Sequence, residues 1–502
     1  MKNIVLVFPR AQESIWNMRL ALQVLGKRAF MPPLGLATVA ALTPSRYRVS
    51  IVDESVAEVD FSVPCDLVGV AGYTFNAARM REISRSFRRK GVLTVAGGPF
   101  CKTDTETCRR EFDVVFVGEA ERTWPRFLEE WEQGRHASLY EERQFADLST
   151  SPPPRWDLVD LSQYTSGILQ TTRGCMYDCE FCDVVTLNGR AVRTKTVEAA
   201  EAEVRELIRR NISTVWIADD NFTAHIPHAK KLLARLATIN RSARRPVRFI
   251  TQITAERTED AELLSLLKAA NVYAVLIGLE SINRESLVET GKWQNVKTDL
   301  AEAVRRVQAQ GIYVVGGMIV GFDADDGNVF RAQERFIAES GLILPVVSML
   351  KASKGTRLWN RLSEEGRLTG GDDGDFYSAC NFIPRNMTRE ELEAGYRHLL
   401  ETVFGYPHFL GRFRKFMEQS AAAGRTAEGE ALSLRDAASG LRVVRHFLFR
   451  AGREARRFLL EGLCAAARYG TRGVTAFAET AVWLESHRAY LLKEKVRPRP
   501  WP

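Results

Sequence analysis

The sequence predicts an α/β protein: an N-terminal doubly wound parallel sheet, then a partial (β/α)6 barrel, then an α-helical C-terminal region. Three observations predict this. Short Val-rich apolar runs alternate with helical periodicity over the first ~130 residues, as strands buried on both faces of a parallel sheet do. Pro152-Pro153-Pro154-Arg155-Trp156 breaks that alternation, and a second one follows it. Beyond about residue 372 the strand signal fades and charged helical sequence takes over.

Taken in order, the first alternation places strands at residues 3–8, 49–53, 67–72, 92–97 and 114–118, with helices such as 76–88 and 121–132 between them. A doubly wound sheet binds ligands beyond the carboxyl ends of its strands. Gly72-Tyr73-Thr74, Gly97-Gly98-Pro99 and Gly118-Glu119 collect at those ends, where backbone without Cβ atoms admits a large ligand. The second alternation places strands at 166–171, 214–218, 249–253, 274–279, 314–320 and 344–350. Helices are expected at 197–210, 229–239, 260–270, 297–310 and 329–340. Six strand–helix units suit a partial barrel better than a second open sheet. The expected organisation is a sheet domain over 1–140, a linker over 141–164, the barrel over 165–370, a helical extension over 371–440 and a basic tail over 441–502.

Composition narrows the class. The 502 residues are 45% hydrophobic and 26% charged, an ordinary globular balance. The apolar stretch near Met1 is too short for a signal-peptide core, and no run approaches the ~18 apolar residues of a membrane span. Secreted and integral-membrane readings fall away. The net charge of +8 lies wholly in residues 441–502, which hold 13 Lys/Arg against 5 Asp/Glu. That rules out the chain-wide basic balance of a nucleic-acid protein. The tail interleaves this charge with Val443, Val444, Phe447, Leu448, Phe449, Phe458, Leu459, Leu460 and Leu463. It reads as a helix that packs on the body, or as a basic amphipathic element for an anionic membrane surface or an acidic partner.

Chemistry concentrates in one loop. Cys175, Cys179 and Cys182 directly follow the first strand of the second alternation, at the mouth where barrels do chemistry. Soft thiolates select zinc or an iron–sulfur centre. Structural zinc wants four ligands, and the next histidine is only His225. A cubane held by three cysteines leaves one iron open. Three unrelated structural cysteines are the remaining alternative. Cys65, Cys101, Cys108, Cys380 and Cys464 have no ligand spacing and read as inert thiols. His225 and His228 read as helix-entry residues rather than an acid or base, since no carboxylate partner is evident.

The pattern Cys-x3-Cys-x-aromatic-Cys, with Phe181 in the aromatic slot, resembles the signature of radical S-adenosylmethionine enzymes. In that family the cluster is 4Fe–4S. Its open iron is chelated by S-adenosylmethionine, whose reductive cleavage gives a 5′-deoxyadenosyl radical that abstracts hydrogen from carbon. The resemblance extends to the ends of later strands: Asp219, Asp220 and Asn221, then Gln252 and Thr254, Glu280, and the pair Gly317 and Gly321. It implies that these residues contact S-adenosylmethionine. The N-terminal sheet in turn resembles the cobalamin-binding domain that precedes the barrel in cobalamin-dependent members. The matching residues are Leu34, Gly35, Gly72, Tyr73, Thr74, Gly97, Gly98, Gly118 and Glu119. A nucleotide-binding Rossmann sheet would need a glycine fingerprint after the first strand, and Phe8-Pro9-Arg10-Ala11-Gln12 has none. The first histidine of the chain is His136, beyond the sheet. A bound cobalamin would therefore have no histidine on its lower face, with Tyr73 as a neighbour.

Segments 353–368 and 381–396 resemble the hopanoid-methylase-like branch, whose members act on greasy polycyclic molecules. The resemblance implies a methyltransferase acting on an unactivated carbon of a lipid or terpenoid-like small molecule. It also implies a reducing partner such as flavodoxin or ferredoxin, no nucleic acid, and a cytoplasmic setting, with the tail as a peripheral contact on the inner face of the membrane. Cyclisation, ring rearrangement or carbon–carbon coupling without methyl transfer is the alternative chemistry. A non-catalytic cobalamin or iron–sulfur sensor is the alternative class.

Overall fold

A computed structural model describes residues 1–12, 14, 18–377, 379–421, 434–449 and 452–496. Parts of the predicted helical extension and of the basic tail, including 497–502, lie outside those residues. The chain divides into two compact units. The first holds residues 1–13, 28–235 and 351–375; the second holds 14–27, 236–350 and 376–502.

In the first unit, β1 (Asn3–Phe8), β2 (Arg48–Asp53), β3 (Leu67–Ala71), β4 (Leu93–Gly97), β5 (Val114–Val117) and β6 (Leu139–Glu141) form one sheet in the order β2-β1-β3-β4-β5-β6. Each neighbouring pair in it is parallel. Val5, Val7, Val68, Val70 and Ala96 sit in a core with Phe87 and Phe100. Ile4, Leu6, Leu67 and Val95 sit in another with Phe116 and Phe127. Burial on both faces explains the continuous apolar runs. β6 escaped prediction because it is three residues long and only Tyr140 is buried. The strand order reverses beside β1, which creates a crevice at the carboxyl ends of β1 and β3. Asn76 ties those two ends together by donating from Nδ2 to the Pro9 carbonyl at 2.8 Å.

The same unit holds β7 (Gly167–Leu169), the two-residue antiparallel pair β8 (Thr172–Arg173) and β9 (Arg193–Thr194), and β10 (Thr214–Ile217), which runs parallel to β7. The strand expected over 166–171 stops at Leu169 for a physical reason. The Thr171 and Thr172 amides turn to the Asp219 carboxylate at 2.6 and 3.0 Å, and Thr172 then pairs with Thr194.

In the second unit, β11 (Arg248–Ile253), β12 (Val272–Glu280), β13 (Tyr313–Val320) and β14 (Leu344–Met349) pair in parallel, in that order. Helices Ala261–Ala269, Leu300–Gln308 and Val329–Ser340 separate them, the first two capped by Asp260 and Asp299. All six strands expected after residue 165 are therefore present.

The helical C-terminal region is Arg389–Val403, Tyr406–Ala421, Leu434–Phe449, Gly452–Ala467 and Gly470–Val496. Thr388 and Glu391 form a capping box at its first helix. Phe447, Phe458 and Phe477 are buried against one another at 5.6 and 5.3 Å between ring centroids. Val443, Phe447, Phe458 and Leu459 of the tail's apolar stripe are thus core, which favours the packing reading for that face. Glu479, on the last helix, reaches Arg248 at 2.6 Å and accepts from the Tyr313 hydroxyl at 3.1 Å, covering the starts of β11 and β13. Among the described residues no helix is long and apolar enough to cross a membrane.

Candidate active site

The loop that carries Cys175, Cys179 and Cys182 is closed at its neck by β8 and β9. Gly174 takes φ +95°, and a Cβ there would stand 2.5 Å from the Ala191 carbonyl, so only glycine fits. The Cys175 amide donates to the Gly189 carbonyl and the Cys182 amide to the Cys179 carbonyl, both at 3.1 Å. Cys179 is buried, while Cys175 and Cys182 are half-buried. Phe181 is also half-buried. Glu180 points away from the thiols to Arg361 at 2.6 Å, and the Leu358 amide donates to its carbonyl at 3.0 Å. Residues 351–375 thereby brace the loop from behind.

Among the described residues no three His, Cys, Asp or Glu side chains converge as they would around a single metal ion. The donor set within the loop is three thiols, with Glu180 committed elsewhere. That set suits a multi-iron sulfur cluster better than a zinc ion.

The strand end after β10 supports the loop. Asp219 gives Oδ1 to the Thr171 and Thr172 amides and Oδ2 to the Thr171 hydroxyl, so its carboxylate is spent on structure. Asp220 accepts from the Gly174 amide at 2.8 Å and from Asn188 at 2.9 Å. Asn221 is different. It is 2% exposed, its Oδ1 caps the following turn, and its Nδ2 has no hydrogen-bond partner. Unpaired buried polar atoms are rare, and this one beside the cysteine loop fits a polar ligand there.

Burial pushes the Asp219 carboxyl up from 3.8 to about 6, against the pull of its Thr171 and Thr172 donors. Its folded value lies above its unfolded one. Its stabilising contribution is therefore full below about pH 4 and is lost as pH rises through about 6, roughly 3 kcal/mol for about two units. In the D219N variant this titration is absent. The stability advantage of the native protein over D219N should shrink between pH 4 and 7, read as the gap in apparent melting temperature. A constant gap would mean that Asp219 does not titrate there.

The glycine-rich ends of the N-terminal sheet lie in the same unit. Gly98 takes φ +85°, and a Cβ there would meet the Gly72 carbonyl at 2.9 Å, so β3 and β4 approach closely. A Cβ on Gly97, or on Gly35 after Leu34 at the start of helix Leu34–Ala41, would enter open space. Tyr73 accepts that space as well. It is 44% exposed and stacks on Phe75 at 5.2 Å, just before the Thr74–Asn76 turn. Burial by the surrounding protein, with the Asp183 and Asp220 carboxylates nearby, pushes its phenol up. These features fit a large planar ligand at the sheet end.

Gly118 and Glu119 act otherwise. A Cβ on Gly118 would meet the Glu142 carbonyl at 2.5 Å. The Glu119 carboxylate pairs with Arg173 at 3.2 Å and Arg193 at 2.8 Å.

In the second unit Gln252, Thr254, Glu280 and Gly321 stand at or just beyond strand ends, and Gly317 lies within β13. Gln252 is half-buried, and Thr254 donates to Glu256 at 2.8 Å. Glu280 takes φ +61° after a bulge in β12 and pairs with Lys292 at 2.7 Å. Gly317 leaves room, its nearest neighbour to a Cβ being 3.8 Å away. Gly321 takes φ +102°, and Asp325 accepts its amide at 2.9 Å. Lys292 and Asp325 escaped sequence reasoning because they act on residues already chosen, through spacings with no motif. Cys380 is buried and donates to the Phe382 carbonyl at 3.3 Å, and His225 Nδ1 accepts the His228 amide at 3.2 Å.

Residues 169–330 match the radical SAM superfamily, and residues 356–495 match a domain of unknown function, DUF4070. An uncharacterised methyltransferase of Synechocystis sp. is 30% identical over 84% of this chain and 80% of its own. The chain belongs to the radical SAM superfamily, in the same family as this relative. The hopanoid C-2 methylase of Rhodopseudomonas palustris is 29% identical over 74% of this chain and 72% of its own. The fold is shared with two solved structures. TsrM of Kitasatospora setae, a radical S-adenosylmethionine methyltransferase with cobalamin and a 4Fe–4S cluster bound, aligns with TM-score 0.60, 16% identity and coverage of 96% and 99%. The cobalamin-dependent radical enzyme OxsB aligns with TM-score 0.63, 14% identity and coverage of 99% and 80%.

Proposed function

We propose that this chain is a cobalamin-dependent radical S-adenosylmethionine methyltransferase that methylates an unactivated carbon of a lipid or terpenoid-like molecule. The observation that carries this reading is the pairing, within one unit, of a three-thiol loop with a glycine-lined sheet end. When bound, the cluster, S-adenosylmethionine and cobalamin would supply an electron, a radical source and a transferable methyl group.

The chain's own residues then have distinct tasks. Cys175, Cys179 and Cys182 would hold the cluster, and Asp219 and Asp220 fix the loop's entry. Asn221 Nδ2 offers an unused donor to S-adenosylmethionine, and the family resemblance assigns the cosubstrate to Phe181, Gln252, Thr254, Glu280, Gly317 and Gly321 as well. Leu34, Gly35, Gly72, Tyr73, Thr74, Gly97 and Gly98 would receive the corrin. The sheet domain over 1–140, the barrel over 165–370 and the helical regions beyond it are the corresponding functional divisions.

The test is anaerobic reconstitution of the full chain with iron, sulfide, cobalamin and a low-potential flavodoxin or ferredoxin. Methyl-deuterated S-adenosylmethionine and candidate polycyclic lipids are then added. Formation of 5′-deoxyadenosine with a product heavier by one labelled methyl supports the proposal. 5′-Deoxyadenosine with an unlabelled, rearranged product selects the cyclisation chemistry instead.

We also propose a cytoplasmic enzyme that touches an anionic membrane through helix Gly452–Ala467, where Arg453, Arg456, Arg457 and Leu460 recur at helical spacing and are exposed. Flotation with anionic liposomes tests this: protein that stays at the bottom removes the membrane contact and leaves the chemistry untouched.

A further inference from the structure

Two arginines flank the cysteine loop, Arg173 before it and Arg193 after it, and both are largely buried. Each reaches out of the loop to the Gly118-Glu119-Ala120-Glu121 turn after β5. Arg173 NH1 lies 2.8 Å from Glu121 Oε1 and 3.2 Å from Glu119 Oε1. Arg193 NH1 lies 2.8 Å from Glu119 Oε1 and 2.9 Å from its Oε2. Other donors of the two arginines turn back on the loop and its surroundings, while Arg193 Nε is buried without a partner. Arg173 Nε donates to Gln170 at 2.8 Å, and Arg193 NH2 to the Asn188 carbonyl at 3.0 Å. Arg193 also donates to the Ala146 carbonyl at 2.9 Å and stacks over Phe145 at 4.6 Å. Lys102, from the helix after β4, donates to the Leu187 carbonyl at 3.1 Å.

We infer that Glu119 and Glu121 are positioning residues for the cysteine loop: through Arg173 and Arg193 they clamp it to the N-terminal sheet and cancel two cationic charges beside the thiols. Buried ion pairs with satisfied hydrogen bonds act mainly by fixing one arrangement, and removing one member leaves its partner uncompensated. Two guanidinium groups alone beside the loop would favour the extra electron of a reduced cluster, because net charge and neighbouring groups set such potentials. The two carboxylates offset the two guanidinium charges. The inference rests on reading the three thiols as the cluster site.

The test compares the reconstituted full chain with its E121Q, R173Q and E121Q/R173Q variants, reading iron content and the midpoint potential from redox titration followed by electron paramagnetic resonance. E121Q removes a negative charge and should raise the potential; R173Q removes a positive one and should lower it. The double variant should return toward the native value, since it removes one charge of each sign and leaves the local net charge unchanged. A purely structural role would not give shifts of opposite sign. Iron-loaded variants whose potentials move in the same direction, or do not move, overturn the inference. Where a single variant loses its iron, its charge-keeping counterpart, E121D or R173K, is expected to hold iron at the native potential, and failure to do so also overturns the inference. Native protein that takes up no iron overturns the cluster reading itself.

Discussion

Cys179→Ala protein is expected to lose its iron–sulfur absorbance and to form 5′-deoxyadenosine at least ~10³-fold more slowly, the scale of loss when a chemistry-bearing group is removed. Cys179 is the buried member of the three thiols, and its carbonyl accepts the Cys182 amide. A cubane held by three cysteines has no spare protein ligand, so losing one cannot be made good by a neighbour. The fold should survive, because the loop's neck is held by β8, β9 and the Asp219 and Asp220 carboxylates rather than by the thiols. Anaerobic absorbance near the charge-transfer region and circular dichroism on the same sample check both halves. A C179A protein that keeps its full absorbance would remove Cys179 from the ligand set.

Glu203→Ala should destabilise the first unit by about 3–5 kcal/mol, the cost of breaking a buried ion pair from one side. The Lys195 side chain is 8% exposed and that of Glu203 5%, and the ammonium hydrogen-bonds the carboxylate directly. Burial pushes the Glu203 carboxyl up while Lys195 pulls it down, with burial the larger effect. The Lys195 amide also donates to the Thr171 carbonyl at 2.8 Å, so strain from a lone ammonium would reach the residues that precede the cysteines. Replacing both partners with apolar residues of similar volume, K195M with E203L, should recover most of the loss. Apparent melting temperatures of the three proteins read this out. A double variant as unstable as E203A would show that packing, not the stranded charge, sets the cost.

Much of this was legible before the structure. Periodicity gave the six strands after residue 165 because each is an apolar run closed by a polar or glycine end, as at Leu344–Met349 and Tyr313–Val320. The cysteine spacing marked the loop because ligands to one centre must lie close in the chain. Long-range pairing was not legible. Arg173 and Glu121 are 52 residues apart, and nothing local distinguishes them from solvated charges. Asp219 carries a motif position, yet its two oxygens serve Thr171 and Thr172, a use that depends on how β7 and β10 lie side by side. The tail's packing on the body is the first reading of its pattern, but the use of Glu479 on Arg248 and Tyr313, far away in the chain, was not legible.

Helix Arg19–Leu25 belongs to the second unit, not the first, and meets the last helix there: the Ala21 amide donates to the Ser486 hydroxyl at 3.0 Å, and Arg442 donates to the Val24 carbonyl at 3.0 Å. Early and late stretches of the chain are thus stitched into one body. During synthesis the first unit's sheet can assemble as soon as β6 emerges, whereas the second waits, with its opening helix already made, until the final helix arrives. A nascent chain halted short of that helix would expose unfinished apolar surface, the condition in which partly made proteins aggregate.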